Sequence, residues 1–512
     1  MTVGADRSFD EPTFDRPAFD EVQARLVELW PALSLRTEEF DDRVALLVSS
    51  ITIPDIPDSL WPLLPAFEER YLFTVLTLAR APRSRVVYVT SSPMHDRVLD
   101  YFINLLPAAD RDSCRERLTV LTVGDASHRP LVEKILERPR FVERIRRALG
   151  DPSKAILLPF IATAQEAELS VRLGVPLYGA DPRLSWLGTK SGSRETFAEA
   201  GVAHPRGGPV ADLDRAADAA AVLWEKGRCD RVVVKLDEGY AGFGNVLVDL
   251  RDARDTDAVR RSVLALEPDP GGPSRDEFAA MLAHGGGVVE EWMTGEEVTS
   301  PSVQLRASPW GELEVLSTHD QILGGPSGQS YAGCRFPADP RYRASITEAA
   351  RAIGHRLIAH GVIGRFAVDF VTVRNGDEWI PYAIEINLRN GGTTHPTATL
   401  LALTDAEYDQ VTGTARSHGV EKHYVATDHL QRDEYRTLTI DDVLDLIAEE
   451  SLGWDADREV GVALHLLSGV SAAGLVGVTC IGDTPVEAER FLRRIESALD
   501  HAAGVEGAQP PD

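Results

Sequence analysis

Cysteine is scarce: four residues in 512, at 114, 229, 334 and 480, far apart and never as a CxxC pair. A disulfide framework and a thiolate zinc site are therefore not expected, and a reducing compartment fits. Positive charge is also short. The chain carries 53 Lys and Arg against 80 Asp and Glu, a formal charge of −27, with pI near 4.9. Nucleic-acid binders and basic membrane-surface proteins need clustered cations, so neither class fits. A nucleotide substrate stays open, because a few local cations and a metal can hold phosphates. No stretch approaches the roughly 18 to 20 uncharged apolar residues of a membrane helix. The first residues offer neither a basic n-region nor an apolar h-region, so no signal peptide is expected and the location reads as cytoplasmic. Lysine is rare as well, at positions 134, 154, 190, 226, 235 and 422. A G+C-rich genome is the bland cause, yet it makes the setting of each lysine worth examining.

What is present suits a globular protein of several domains. Hydrophobic residues make up 43% and charged ones 26%, and this length suggests three or four domains at about 150 residues each. Residues 1–20 hold three Phe-Asp pentads (SFDEP, TFDRP, AFDEV) and read as a mobile tail. Across 21–185 β-branched runs (Val44–Ile53, Arg85–Thr90, Leu118–Val123, Ala155–Ile161) alternate with amphipathic segments, the pattern of a doubly wound parallel sheet. The first strand leads into Pro54-Asp-Ile-Pro57 and not into GxGxxG, so the shape is Rossmann-like without Rossmann phosphate chemistry. Residues 186–300 read as helix, strand, glycine-rich loop and strand. Residues 301–411 are strand-rich, with a hairpin signal at Asn375-Gly376. Thr412–Asp433 looks like a polar linker, and 434–505 a small α+β domain in which no chemistry is visible.

Three features carry chemistry. In Arg231-Val-Val-Val-Lys235-Leu-Asp-Glu-Gly239-Tyr-Ala-Gly242-Phe-Gly244, Lys235 ends a strand, sharing a face with Val233, and three glycines follow whose amides can approach phosphate. A plain edge-strand turn would look similar. Lysine before loop matches neither the kinase order nor the P-loop. Asp237 and Glu238 read as solvated loop charges. In Val288-Val-Glu290-Glu291-Trp292-Met293-Thr-Gly-Glu-Glu297, backbone around Glu291–Met293 could read adenine, with Glu297 accepting from ribose hydroxyls; a solvated strand end is the bland alternative. The third is the most specific. In Gly364-Arg365-Phe-Ala-Val-Asp369 and Ala383-Ile-Glu385-Ile-Asn387-Leu-Arg389, alternation puts Glu385 and Asn387 on one face. A hairpin centred near Asp377 would set Asp369 opposite Glu385. Two carboxylates so close in a half-buried sheet are costly without a cation, and hard oxygens suit Mg²⁺. Lys190, Lys235, Arg365 and Arg389 could neutralise a triphosphate, and His319 and His395 are the histidines expected nearest.

In this order the elements resemble the ATP-grasp superfamily. Lys190 in Gly188-Thr-Lys-Ser-Gly-Ser-Arg194 looks like the first nucleotide lysine and Lys235 like the second, with Glu290–Glu297 as the hinge and Asp369, Glu385 and Asn387 as magnesium ligands. Together with His319-Asp-Gln-Ile-Leu-Gly-Gly and Tyr331-Ala-Gly-Cys-Arg335-Phe-Pro337, nearly the whole chain is similar to the pheganomycin-type peptide ligases. The resemblance implies a Rossmann-like pre-ATP-grasp domain, an ATP-grasp fold and a small C-terminal domain. It implies ATP with two Mg²⁺ ions, Mn²⁺ able to substitute, and an acyl phosphate made from a small carboxylate and captured by an amino acid or peptide amine. Arg365, Arg389 and Arg335 would hold the acyl phosphate and oxyanion. A homodimer is among the assemblies it allows. A carboxylase is disfavoured because Asn390-Gly-Gly-Thr-Thr-His395 follows the arginine where a glutamate base is wanted. A retired ATP-binding regulator would have lost a lysine or a metal ligand, and none is missing.

Overall fold

The computed structural model describes residues 14–30, 42–52, 63–227, 229–240, 242–270, 272–325 and 328–505. The N-terminal unit is a parallel sheet of β1 (Val44–Val48), β2 (Arg85–Thr90), β3 (Leu118–Thr122) and β4 (Ala155–Pro159), in the order β3-β2-β1-β4. The aliphatic run of β1 is buried on both faces because helices cover the sheet on either side, as parallel sheets require. One of them, Ala164–Leu173, opens with a capping box between Thr163 and Glu166. Residues 1–13 of the expected tail lie outside the described residues, but from Phe14 onward the tail reading fails. Asp15 caps helix Arg16–Ala24, and Phe19, the phenylalanine of the third pentad, is fully buried. Its ring joins the core under β1, so Phe-Asp repetition hid a packed helix.

The second unit is an antiparallel sheet, β5 (Gly207–Val210), β6 (Arg231–Tyr240), β7 (Phe243–Asp249) and β8 (Gly287–Glu291), in the order β5-β8-β6-β7. Helices Leu213–Gly227, Thr256–Leu264 and Arg275–Gly285 bury the apolar side chains of one face, such as Val232, Val234 and Val289. The other face carries Val233, Lys235 and Glu290 into a cavity.

The third sheet holds β9 (Val298–Thr299), β10 (Pro301–Ala307), β11 (Leu313–Gly324), β12 (Ser330–Phe336), β13 (Gly364–Asn375), β14 (Glu378–Asn387), β15 (Glu407–Asp409), β16 (Thr414–Ser417), β17 (Val420–Gln431), β18 (Gly461–His465) and β19 (Leu475–Gly482). Its main path runs β14-β13-β10-β11-β12-β17-β16-β15, with β9 on β13 and β19 joining β17 to β18. The expected linker Thr412–Asp433 is thus β16 and β17. Some of its polar residues are paired inside the fold: Lys422 is 2% exposed, with Nζ 2.7 Å from Asp483 Oδ1. The C-terminal α+β unit does not keep its own sheet, because β18 and β19 extend the large one. One continuous core runs from Leu47 and Tyr88 in the first unit to Val462, Val478 and Phe491 in the last.

Candidate active site

A cavity of about 1040 Å³ opens among the three sheets. The β13–β14 hairpin supplies its metal-type donors. The chain turns at Gly376-Asp377, with Asn375 paired to Glu378. That turn alone would face Asp369 to Ile384. A bulge on β14, which leaves Ile384 unpaired, brings Asp369 opposite Glu385 and Ala367 opposite Asn387. Asp369, Glu385 and Asn387 all line the cavity. Asn387 Nδ2 stands 3.0 Å from Asp369 Oδ2 and Lys190 Nζ 2.5 Å from Glu385 Oε1. Burial first, and the Glu385 charge second, push the Asp369 carboxyl up to about 6, against hydrogen bonds from Ser302 and Gln321 and the pull of Lys190. Burial is the larger part of that rise, and Lys190, the cation paired with Glu385, only partly offsets it.

Lys190 begins helix Lys190–Ala200, capped by Thr189, and also donates to the Gly239 carbonyl at 3.2 Å. Asp237, expected in solvent, is 1% exposed and accepts from Ser191 N at 2.8 Å. It ties the glycine loop to that helix, whereas Glu238 is exposed as expected. Lys235 and Arg194 both grip Glu290, Lys235 Nζ at 2.7 Å from Oε2. Burial works against the Glu290 charge, but the two cations outweigh it and hold its carboxyl below the ordinary range. Glu290 is therefore committed to protein cations, and the pairing with Arg194 was not foreseen. Glu291, Trp292 and Met293 line the same lobe, with Glu291 held by Arg206.

Of the three loop glycines, Gly242 reaches the cavity wall, and Gly239 and Gly244 stand behind it. Gly242 has φ +90°, and a Cβ there would lie 2.8 Å from the Gln329 carbonyl, so the loop needs glycine to pack on β12's approach. Glu297 departs from expectation. It pairs with Arg341 and Arg374 and is not on the cavity wall, although Val298 and Thr299 of β9, next in the chain, are.

Of the arginines, Arg389 lines the cavity and Arg365 shares a strand face with Ala367 and Asp369. Burial raises the Tyr71 hydroxyl well above its usual value, with Arg70, Arg365 and Arg389 opposing. Arg335 also lines the wall, but its Nε is 2.6 Å from Glu489 Oε1. Neither expected histidine reaches the cavity. His319 is buried with Tyr424 Oη 2.6 Å from its Nε2, and His395 points into a cluster with Asp428 and His465. Burial drives both imidazoles down to about 3, so both are neutral. Arg70, Tyr71 and Asp428, which also line the cavity, escaped sequence reading because they come from segments with no motif.

The chain is similar to known proteins over most of its length. Family profiles match at residues 78–175 (Pre ATP-grasp domain), 273–410 (IQCH-like, ATP-grasp) and 442–495 (PGM1 C-terminal domain). The L-propargylglycine–L-glutamate ligase of Streptantibioticus cattleyicolor is 33% identical over 432 residues, covering 82% of this chain and 86% of that one. IQ motif-containing protein H of Danio rerio is 24% identical over 371 residues, 62% of this chain and 35% of that protein. Among solved structures, a biotin carboxylase–ATP analogue complex from Campylobacter jejuni superposes with TM-score 0.53 at 13% identity, covering 91% and 96% of the two chains, a likeness of fold alone.

Proposed function

The chain belongs to the pheganomycin-type ATP-grasp peptide ligases, ATP-dependent carboxylate–amine ligases of natural-product biosynthesis, and we propose that it joins an unusual amino acid's carboxylate to the amine of a second amino acid or a peptide. The observation that carries this reading is the facing Asp369–Glu385 pair, with Asn387 beside it, in the wall of a cavity that Lys235 and Arg389 also line. Phosphate chemistry needs a metal-type oxygen set at one end and anion-binding groups at the other. Asp369, Glu385 and Asn387 fit Mg²⁺ by donor type, and Asn387 needs only the alternative amide orientation to present oxygen. When bound, Mg²⁺, with Mn²⁺ as a substitute, screens the triphosphate charge.

The chain's own groups do the rest. Lys190 and Lys235 neutralise phosphate oxygens, with Glu290 fixing the position of Lys235. Glu291–Met293 holds the adenine edge, and the loop around Gly242 keeps water from the reactive anhydride. The donor carboxylate oxygen attacks the γ-phosphorus and ADP leaves. The acceptor nitrogen then attacks the acyl carbon, phosphate leaves and the nitrogen loses a proton. Arg365 and Arg389 hold the phosphate and the oxyanion, and Arg335 joins them only by releasing Glu489. A cytoplasmic location, where ATP is at hand, belongs to the same reading; no described helix is long and apolar enough to cross a membrane.

An acyl-phosphate trap tests it. Protein, ATP, Mg²⁺ and hydroxylamine are incubated with a panel of amino acids, including small apolar and guanidino acids. A hydroxamate from one donor, absent with Asp369→Ala, is the expected result. ADP release that tracks bicarbonate and yields no hydroxamate would overturn it in favour of carboxylation.

A further inference from the structure

Outside the oxygen-ligand hairpin, three side chains from three parts of the fold bring metal-type donors together. His395 sits in the first turn of helix Thr394–Leu403, Asp428 lies in β17 and His465 ends β18. All three are buried, at 2%, 5% and 4% exposure. Their placement is built into the fold. A bulge between Thr427 and Leu430 interrupts the β17–β19 register at Asp428. His465 faces Gly477 across β19, where a Cβ would lie 2.2 Å from the imidazole, so only glycine leaves room for the ring.

The donor geometry is that of ligands around one point. His465 Nε2 is 2.7 Å from Asp428 Oδ1, His395 Nε2 is 3.4 Å from the same oxygen, and the two Nε2 atoms are 3.0 Å apart. Ligand bonds of about 2.0–2.2 Å at one ion set neighbouring donors roughly 3 Å apart. The contact between the imidazoles is a poor hydrogen bond. A near-linear N–H···N bond would hold the ring centroids about 5 Å apart. They are 4.3 Å apart with planes at 65°, so both Nε2 atoms lean toward a shared point. Protons on both Nε2 atoms would face each other at that separation.

We propose that His395, Asp428 and His465 form a second metal site, for a borderline divalent ion of the Zn²⁺ type. Two imidazoles and one carboxylate suit such an ion, whereas Mg²⁺ prefers the all-oxygen set on the hairpin. Arg70 Nη2, 2.7 Å from Asp428 Oδ2, holds the second carboxylate oxygen and leaves Oδ1 turned to the histidines. Three protein donors leave a coordination position open, and of the three Asp428 lies on the cavity wall.

The test reads metal and not activity, so it stands apart from the ligase reading. Full-length protein without an affinity tag is passed over a chelating resin and analysed by inductively coupled plasma mass spectrometry. Metal-free chain is then titrated with Co²⁺ and followed by visible absorption. About one transition ion per chain, with an intense Co²⁺ band displaced by Zn²⁺, is expected. His465→Ala should lose both signals. His418→Ala, which removes a histidine from the exposed Asp405–His418–Glu459 group, should keep them. Because His465→Ala could unfold, the wild-type Co²⁺ titration decides independently. Substoichiometric metal with no Co²⁺ band would reduce the cluster to a hydrogen-bonded knot, and a signal lost with His418→Ala would assign the ion to the exposed group.

Discussion

Two groups of carboxylates and their partners flank the cavity, and they are made differently. Asp369, Glu385 and Asn387 come from one hairpin, within nineteen consecutive positions, and two of them are cross-strand neighbours. His395, Asp428 and His465, with Arg70 behind them, come from four separated segments and meet only when the first unit, the large sheet and the C-terminal strands have packed. The hairpin group has Lys190 on Glu385, while the Asp369 carboxyl stays raised by burial and by its carboxylate neighbour. The histidine group is already anchored by an arginine, so its loss should be felt first by the fold.

Replacing Glu385 by alanine sharpens this contrast most. Hydroxamate formation should fall by about 10³-fold, the scale of losing a group that organises transition-state charge, with a smaller change in urea unfolding because loss of the Lys190 pair is offset by relief of the Asp369 repulsion. Equal losses of activity and stability would erase the distinction. Asp428→Asn should do the reverse. It strands the buried Arg70 guanidinium and should cost about 3–5 kcal/mol in urea unfolding, with a midpoint that stays put showing the anchor to be unimportant.

A smaller effect concerns pH. The Asp369 carboxyl is pushed up to about 6 in the fold, above its unfolded value. Its contribution is therefore full below the unfolded pKa and is lost as pH rises through about 6, worth at most about 3 kcal/mol. Metal-free wild type should lose stability between roughly pH 4 and 6 relative to Asp369→Asn, and Mg²⁺ with ADP should flatten the difference. Parallel stability curves for the two proteins would contradict the raised Asp369 carboxyl. Smallest is Glu297→Ala. Because Glu297 pairs with Arg341 and Arg374 away from the wall, KM for ATP should change by less than about twofold, as exposed pairs contribute little. A tenfold rise would return it to the ribose.

Much of the hairpin site was legible because strand alternation and a short turn convert spacing directly into facing. Even there, the turn falls half a position early and a bulge restores the pairing, which spacing alone could not show. Lys190 and Lys235 were visible as rare lysines beside glycine and acidic motifs. Their partners, Glu385 and Glu290, were named for other tasks, because an ion pair across 195 positions leaves no local trace. Asp237 was misread since a carboxylate in a loop looks the same in sequence whether it faces water or a helix N-terminus.

By itself, then, the sequence determined the parallel sheet of the first unit and the shared face of Glu385 and Asn387, because each follows from short-range periodicity. Tertiary structure alone decided that Thr412–Asp433 is a strand pair, that β18 and β19 extend the large sheet, and that Arg70, Asp428, His395 and His465 meet. These outcomes depend on which buried surfaces and charges find partners across long separations, and that choice is made by packing.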